Sequence, residues 1–266
     1  MIRVGVFGLG TIGRQICRAV EAGIPEVSLA GGTGRDRSKA EAFLATLPSK
    51  PPFLALDELV RSSDLVIECA TQAALQELAP KVLSAGKNLM VLSCGALLGR
   101  SDWVELAERH RCRILVPSGA IVGLDGMKGA RVGAVTSVTV ESRKSPRGWA
   151  GAPYVEERRI DLGAVREETL IFEGSATGAC KGFPANVNVL AALSMAGIGA
   201  ELTTIKIFAV PGLTRNTHRI TVEGEFGKFQ ILVENAPTEN PRTGKLSYLS
   251  AIALLRELHA TLRVGT

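Results

Sequence analysis

Aromatic side chains are scarce in this chain: two Trp, two Tyr and eight Phe among 266 residues. With so few rings for base stacking and no block of five or six like charges, 31 Lys+Arg against 26 Asp+Glu do not make a nucleic-acid-binding surface. The net charge of +5 suits small anionic ligands instead. Cysteine is limited to Cys17, Cys69, Cys94, Cys112 and Cys180, odd in number, widely spaced and without a C-x-x-C pair. That pattern offers neither a disulfide framework nor a zinc site, so no metal is expected. Long apolar runs are missing too. The least polar stretch, residues 185–200, contains Asn186, Asn188 and Ser194 and is too short to span a bilayer. Met1-Ile2-Arg3-Val4 runs straight into structural sequence with no basic-then-apolar leader. The expectation is a cytoplasmic protein that contacts neither membrane nor nucleic acid.

What is present favours a large folded core. Apolar residues make up 46% of the chain and charged residues 21%, and the length fits two domains. The first half alternates short apolar runs with helical periodicity. Strand-like runs fall at residues 4–7, 27–30, 65–67, 89–92 and 114–116. Between them Ile12, Ile16, Ala19 and Val20 keep helical spacing up to Gly23, and helices are expected over 72–85 and 103–110, the latter with Ser101 and Asp102 as capping candidates. Such alternation implies a Rossmann-type, doubly wound parallel sheet. After Ser118-Gly119 the pattern changes to alternating strands at 138–143 and 217–223 and a strand-like run at 229–234. The last two flank the turn Gly224 to Gly227 as an antiparallel hairpin. A helix over 187–195 and an amphipathic C-terminal helix from Leu246 to Leu262 complete a smaller α+β domain with a mixed or antiparallel sheet. A sheet face left uncovered by so few helices would expose apolar residues, which favours a homodimer.

Gly8-Leu9-Gly10-Thr11-Ile12-Gly13 is the strongest local signal, because it follows a strand directly and opens a helix. Gly8 permits the tight turn, Gly10 lets backbone approach a pyrophosphate, Gly13 allows close helix–strand packing, and the helix start faces the anion. An acid that would bind the ribose 2′-hydroxyl of NAD is missing after the second strand, where the chain reads Gly34-Arg35-Asp36-Arg37. Gly34 removes carboxylate repulsion and Arg35 offers a planar cation, so NADP is favoured, alone or alongside NAD. A solvated Arg35 and Arg37, with Asp36 turned inward, is the competing reading. Ligands of open parallel sheets bind at the carboxyl ends of the strands. Ala70, Cys94 with Gly95, and Ala120 follow the third, fourth and fifth strands there. The expected division is a dinucleotide-binding domain over 1–119, with segment 241–266 packing back on it, and a substrate and dimerisation domain over 120–240.

Only three histidines are present. His110 and His259 read as surface or packing residues. His218 shares the apolar face of its strand with Ile220 and Val222, a place where a satisfied core histidine is commoner than a catalyst, although its ordinary pKa suits proton transfer. Asn186 and Asn188 precede a helix, where capping competes with ligand binding.

Gly174-Ser175-Ala176, Phe183-Pro184-Ala185-Asn186-Val187-Asn188, Asn216-Thr217-His218-Arg219-Ile220, Glu234-Asn235 and Asn240-Pro241-Arg242-Thr243 occur in that order. Together with the glycine fingerprint they resemble the L-aspartate dehydrogenase family along essentially the whole chain. The resemblance implies oxidation of L-aspartate to iminoaspartate by hydride transfer to a nicotinamide. The product hydrolyses to oxaloacetate and ammonia or feeds pyridine-nucleotide synthesis. It also implies His218 as the active-site residue and Ala120 and Asn186 as dinucleotide contacts. Asn188, Lys144 and Lys181 are candidate substrate partners, with a solvated surface the commoner fate for each lysine. Two features depart from the family: Val210-Pro211 where Asp-Pro is usual, and Gly34 before Arg35-Asp36 where an acid is frequent. The alternatives are an enzyme of the homoserine dehydrogenase or dihydrodipicolinate reductase type, and a dinucleotide sensor without turnover.

Overall fold

The computed structural model describes residues 1–184, 188–235 and 244–265. It divides into two compact units, Met1–Pro117 with Ser247–Arg263, and Ser118–Leu246 with Val264–Thr266. Asn186 and the segment 236–243 lie outside the described residues.

In the first unit, β1 (Ile2–Phe7), β2 (Val27–Thr33), β3 (Leu65–Glu68), β4 (Asn88–Val91) and β5 (Ile114–Leu115) form one sheet in the order β2-β1-β3-β4-β5. Every pairing is parallel, so each connection must cross over the sheet. The crossovers carry α1 (Thr11–Glu21), α2 (Arg37–Leu44), α3 (Leu56–Ser62), α4 (Gln72–Ser84) and α5 (Ser101–Arg109). In α1 the buried positions Gly13, Ile16, Cys17 and Val20 fall on one stripe, which fixes the face it turns to the sheet. It packs with Val4, Val6, Ile67 and Met90 from the strands and Phe43 and Leu44 from α2. This is the doubly wound α/β fold expected from the sequence. Neither Ser101 nor Asp102 caps α5: both lie inside the helix, and Asp102 pairs with Arg100.

The C-terminal helix, Leu246–Glu257, contributes Ala251 and Leu255 to the first unit's core, with Ile252, Leu254 and Leu258 packed at its edge. The helix is shorter than the leucine pattern implies. Leu262 lies beyond its end and is 80% exposed.

In the second unit, β6 (Val135–Lys144) is the centre of a sheet completed by β7 (Thr169–Ser175), β8 (Thr203–Ala209), β9 (Asn216–Gly224) and β10 (Gly227–Asn235). The order is β10-β9-β6-β8-β7, with β6 and β8 parallel and the other pairs antiparallel, a mixed sheet. The helices are α6 (Leu124–Ala130), α7 (Pro153–Glu157), α8 (Ala176–Gly182) and α9 (Asn188–Ala196). Val138, Val140, Ile205, Ile207, Ile220 and Val222 face the core, which gathers four of the few aromatic rings: Trp149, Tyr154, Phe172 and Phe183. Strands β7 and β8 have no counterpart among the expected segments. The sheet's other face corrects a second expectation. It carries Thr139, Glu141, Arg143, Thr204, Lys206, Arg219 and Thr221, so it is largely polar, with Phe208 half-buried and Leu170 and Leu232 exposed. Alternation along β6, β8 and β9 sends the apolar residues to the covered side.

If the C-terminal helix belongs to the first unit's core, Leu255→Ala should lower its stability by about 2–5 kcal/mol in equilibrium chemical unfolding. Leu262→Ala should change it by less than about 0.5 kcal/mol.

Candidate functional site

The glycine loop joins β1 to α1. Gly8 adopts φ +104°, and a Cβ there would lie 2.7 Å from the Cys69 carbonyl oxygen. A Cβ on Gly13 would sit 2.0 Å from the Gly8 carbonyl oxygen, so the first turn of α1 rests directly on the loop. A Cβ on Gly10 would meet nothing within 4 Å, which leaves open space before the helix start. Arg14 N donates to Gly10 O at 3.0 Å as the first helical bond, so the amides of Thr11, Ile12 and Gly13 have no intrahelical acceptor. No side chain caps this end and its first turn carries no acid. Uncapped amides, the positive end of a helix of eleven residues and unfilled space are the features a phosphate needs. The residues present therefore fit a dinucleotide.

A groove of about 790 Å³ runs along this edge, lined by Gly8, Gly10, Arg14, Thr33, Gly34, Arg35, Lys39, Ala70 and Thr71 among others. Gly34 brings its backbone close to the loop, since a Cβ there would lie 3.7 Å from Leu9 N. Arg35 is exposed at the rim and stays out of the ion pairs that engage its neighbours. Asp36 lines the same groove, with its side chain committed to the start of α2. It caps α2 by accepting the Lys39 amide at 3.1 Å, a bond that holds its carboxyl below the usual range. Arg37 pairs with Glu41 at 2.8 Å and stacks on Phe53, so of the two expected arginines only Arg35 lines the groove. Arg14, held over the Phe43 ring with its Nε donating to Leu9 O, adds a cation the sequence reading omits.

At the end of β3 lies another omission. Glu68 is fully buried. Its Oε1 accepts Ala70 N at 2.7 Å and Ser93 Oγ at 2.9 Å, and its Oε2 accepts Ser93 N at 2.9 Å. Burial raises its pKa against the opposing pull of these donors. The loops after β3 and β4 are thereby tied together. Cys94 and Gly95 begin the short 3-10 turn that follows Ser93, Cys94 being buried. The signal in the sequence was a lone acid closing the apolar run Leu65-Val66-Ile67.

In the second unit, register pairs Ser142 of β6 with His218 of β9. Ser142 Oγ and His218 Nδ1 are 2.9 Å apart, and both side chains are buried on the core face. Burial, then the Lys144 cation, pushes the His218 pKa down to about 4. Lys144 lies two residues beyond Ser142 on the same face. It is 6% exposed, with Nζ 4.8 Å from the Trp149 ring centre, which overturns the solvated-surface expectation. Burial lowers its pKa to about 8. A hollow of about 450 Å³ opens beyond β6, between residues that include Ser145, Arg147, Leu162 and Pro211. The departing residue Val210 donates its amide to Lys144 O at 2.8 Å. Ala120 accepts a 3.4 Å bond from Asn235 Nδ2 in this unit. Lys181 is exposed on α8, and Asn188 is exposed at the first turn of α9. Ser142 was readable from alternation, since Val138, Val140, Ser142 and Lys144 share one parity.

No helix among the described residues is long and apolar enough to cross a membrane, and no His, Cys, Asp and Glu group there could hold a metal ion. A family model described as homoserine dehydrogenase, NAD binding domain, matches residues 8–117, and one described as aspartate dehydrogenase, C-terminal, matches residues 125–258. An L-aspartate dehydrogenase of Methanosarcina mazei is 45% identical over 271 residues, covering 100% of both chains. That of Bradyrhizobium diazoefficiens is 43% identical and covers 100% of this chain and 94% of the relative. The crystal structure of aspartate dehydrogenase from Thermotoga maritima matches over 100% of both chains with a TM-score of 0.74 at 24% identity. A homoserine dehydrogenase from Thiobacillus denitrificans matches at 0.61 and 13% identity, over 98% of this chain and 76% of the other. At those identities the two solved structures share the fold.

Nuclear magnetic resonance titration should find the His218 imidazole neutral down to about pH 5, with a pKa near 4. Lys144→Met removes the smaller of the two causes, so the pKa should rise yet stay below 6.5. Because the folded value lies below the unfolded one, the stability tied to His218 is present above pH 6.5 and is lost as pH falls towards 4.

Proposed function

The chain belongs to the L-aspartate dehydrogenase family, and we propose on that premise that it oxidises L-aspartate to iminoaspartate with NADP or NAD as the hydride acceptor. The full-length likeness to L-aspartate dehydrogenases carries this reading. The glycine groove supports it: the first-turn amides of α1 at Thr11, Ile12 and Gly13 hold the pyrophosphate, with Gly8 and Gly10 giving it room. Gly34 leaves space for a ribose 2′-phosphate and Arg35 pairs with it, helped by Arg14 and Lys39 on the same groove. Ala70, Cys94 and Gly95 are further candidate contacts on this unit, and the family resemblance adds Ala120 and Asn186.

When bound, the nicotinamide supplies the acceptor for the α-hydrogen and its electron pair. The chain's own work is charge and proton handling. An α-ammonium must lose one proton before its nitrogen can share its lone pair with the α-carbon. In the tautomer whose Nδ1–H donates to Ser142 Oγ, His218 presents Nε2 as an acceptor for that proton. At a pKa near 4 the imidazole passes the proton on rather than storing it. The two substrate carboxylates raise that value once bound. Lys144, cationic and poorly hydrated, pairs with one carboxylate, with Lys181 and Asn188 as weaker candidates. The protein acts as a cytoplasmic homodimer in this reading. Its five cysteines are free of disulfides, which suits a reducing compartment.

With L-aspartate, absorbance at 340 nm should rise with NADP and to a smaller extent with NAD, and Arg35→Ala should weaken NADP about tenfold while sparing NAD. An unchanged NADP affinity in that variant removes Arg35 from the site. His218→Ala should cut kcat by about 10²-fold or more while dinucleotide affinity stays within about twofold. Normal turnover there would end its catalytic assignment.

A further inference from the structure

Among the described residues, Glu68 is the only fully buried carboxylate, and hydride transfer as set out above gives it no task. Its hydrogen bonds argue for the ionised form. Each oxygen accepts a backbone N–H, Ala70 on Oε1 and Ser93 on Oε2, and the Ser93 hydroxyl adds a third donor. These donors satisfy both oxygens and stabilise the anion, opposing burial, which is the larger effect and raises the carboxyl's pKa. Its place in the sheet gives that charge a direction. The strand order is β2-β1-β3-β4-β5, with Gly34 and Arg35 after β2 and the glycine loop after β1. A dinucleotide with its adenosine at β2 and its phosphates at α1 runs on along this edge, so its nicotinamide half comes next to the loops after β3 and β4. Those are the two loops Glu68 joins, and its neighbours Cys69 and Ala70 line the groove.

Oxidised nicotinamide carries a positive charge and the reduced ring carries none. A buried anion is little screened by solvent or salt and therefore distinguishes the two. We propose that Glu68 is a positioning residue that also makes the dinucleotide site prefer the oxidised over the reduced cofactor. The inference rests on the dinucleotide reading of the groove. It favours release of reduced cofactor after turnover in the direction of aspartate oxidation.

The test is binding, measured by calorimetry with NADP+ and NADPH on the wild type, Glu68→Gln, Glu68→Met and Ser93→Ala. Loss of the charge should weaken NADP+ relative to NADPH by roughly fivefold. Either folded Glu68 variant suffices to read this. Ser93→Ala breaks the hydroxyl contact but keeps the charge, so its ratio should stay within about twofold of the wild type. Equal weakening of both forms, an unchanged ratio, or the same shift in Ser93→Ala would overturn the proposal. A wild type that binds neither form would overturn the dinucleotide reading itself, an outcome distinct from the others.

Discussion

The absence of a side chain on Gly13 is the constraint from which the first unit's chemistry follows. A single methyl group there would overlap the Gly8 carbonyl oxygen at 2.0 Å, so any larger residue would lift α1 from the loop that feeds it. Contact at that point aims three amides of the first turn into the space before Gly10. The apolar stripe of Ile16, Cys17 and Val20 then holds the helix on the sheet, and the C-terminal helix closes the same core through Ala251 and Leu255. Packing energy and anion recognition thus share one backbone contact.

Both units also bury polar groups that apolar packing does not require, and each is held by partners supplied by the sheet register. Glu68 sits where β3 and β4 end side by side, within reach of Ser93. His218 sits opposite Ser142 because β6 and β9 are antiparallel in that register. A slip of one residue would turn Ser142 and Lys144 to the open face. Burial keeps the imidazole neutral and leaves Lys144 weakly basic, which is how a mostly aliphatic unit provides both a proton acceptor and a cation.

Much of this was legible in the sequence. The glycine spacing after an apolar run identified the turn and helix start, because only glycine meets those steric demands. Alternation placed His218 with Ile220 and Val222 on the buried face. What escaped depended on partners distant in the chain. Nothing local reveals that Glu68 meets Ser93, 25 residues away, or that Arg37 is occupied by Glu41 and Phe53 while Arg35 remains at the groove. Lys144 looked like an ordinary surface lysine, because nothing beside it in the strand reveals its burial or the Trp149 ring 4.8 Å from its Nζ. Strand β8 carries strict alternation, Thr203, Ile205, Ile207 and Ala209 facing inward, yet its Lys206 and threonines mask it as loop.

The central claim is that this chain moves the α-hydrogen of L-aspartate, with its electrons, to a bound nicotinamide. L-Aspartate deuterated at the α-carbon tests it most directly when the reduced dinucleotide is recovered and analysed by mass spectrometry. One deuterium per reduced dinucleotide, with a slower transfer step than for the protiated substrate, is the predicted result. Reduced dinucleotide free of deuterium, or no reduction at all, would contradict it.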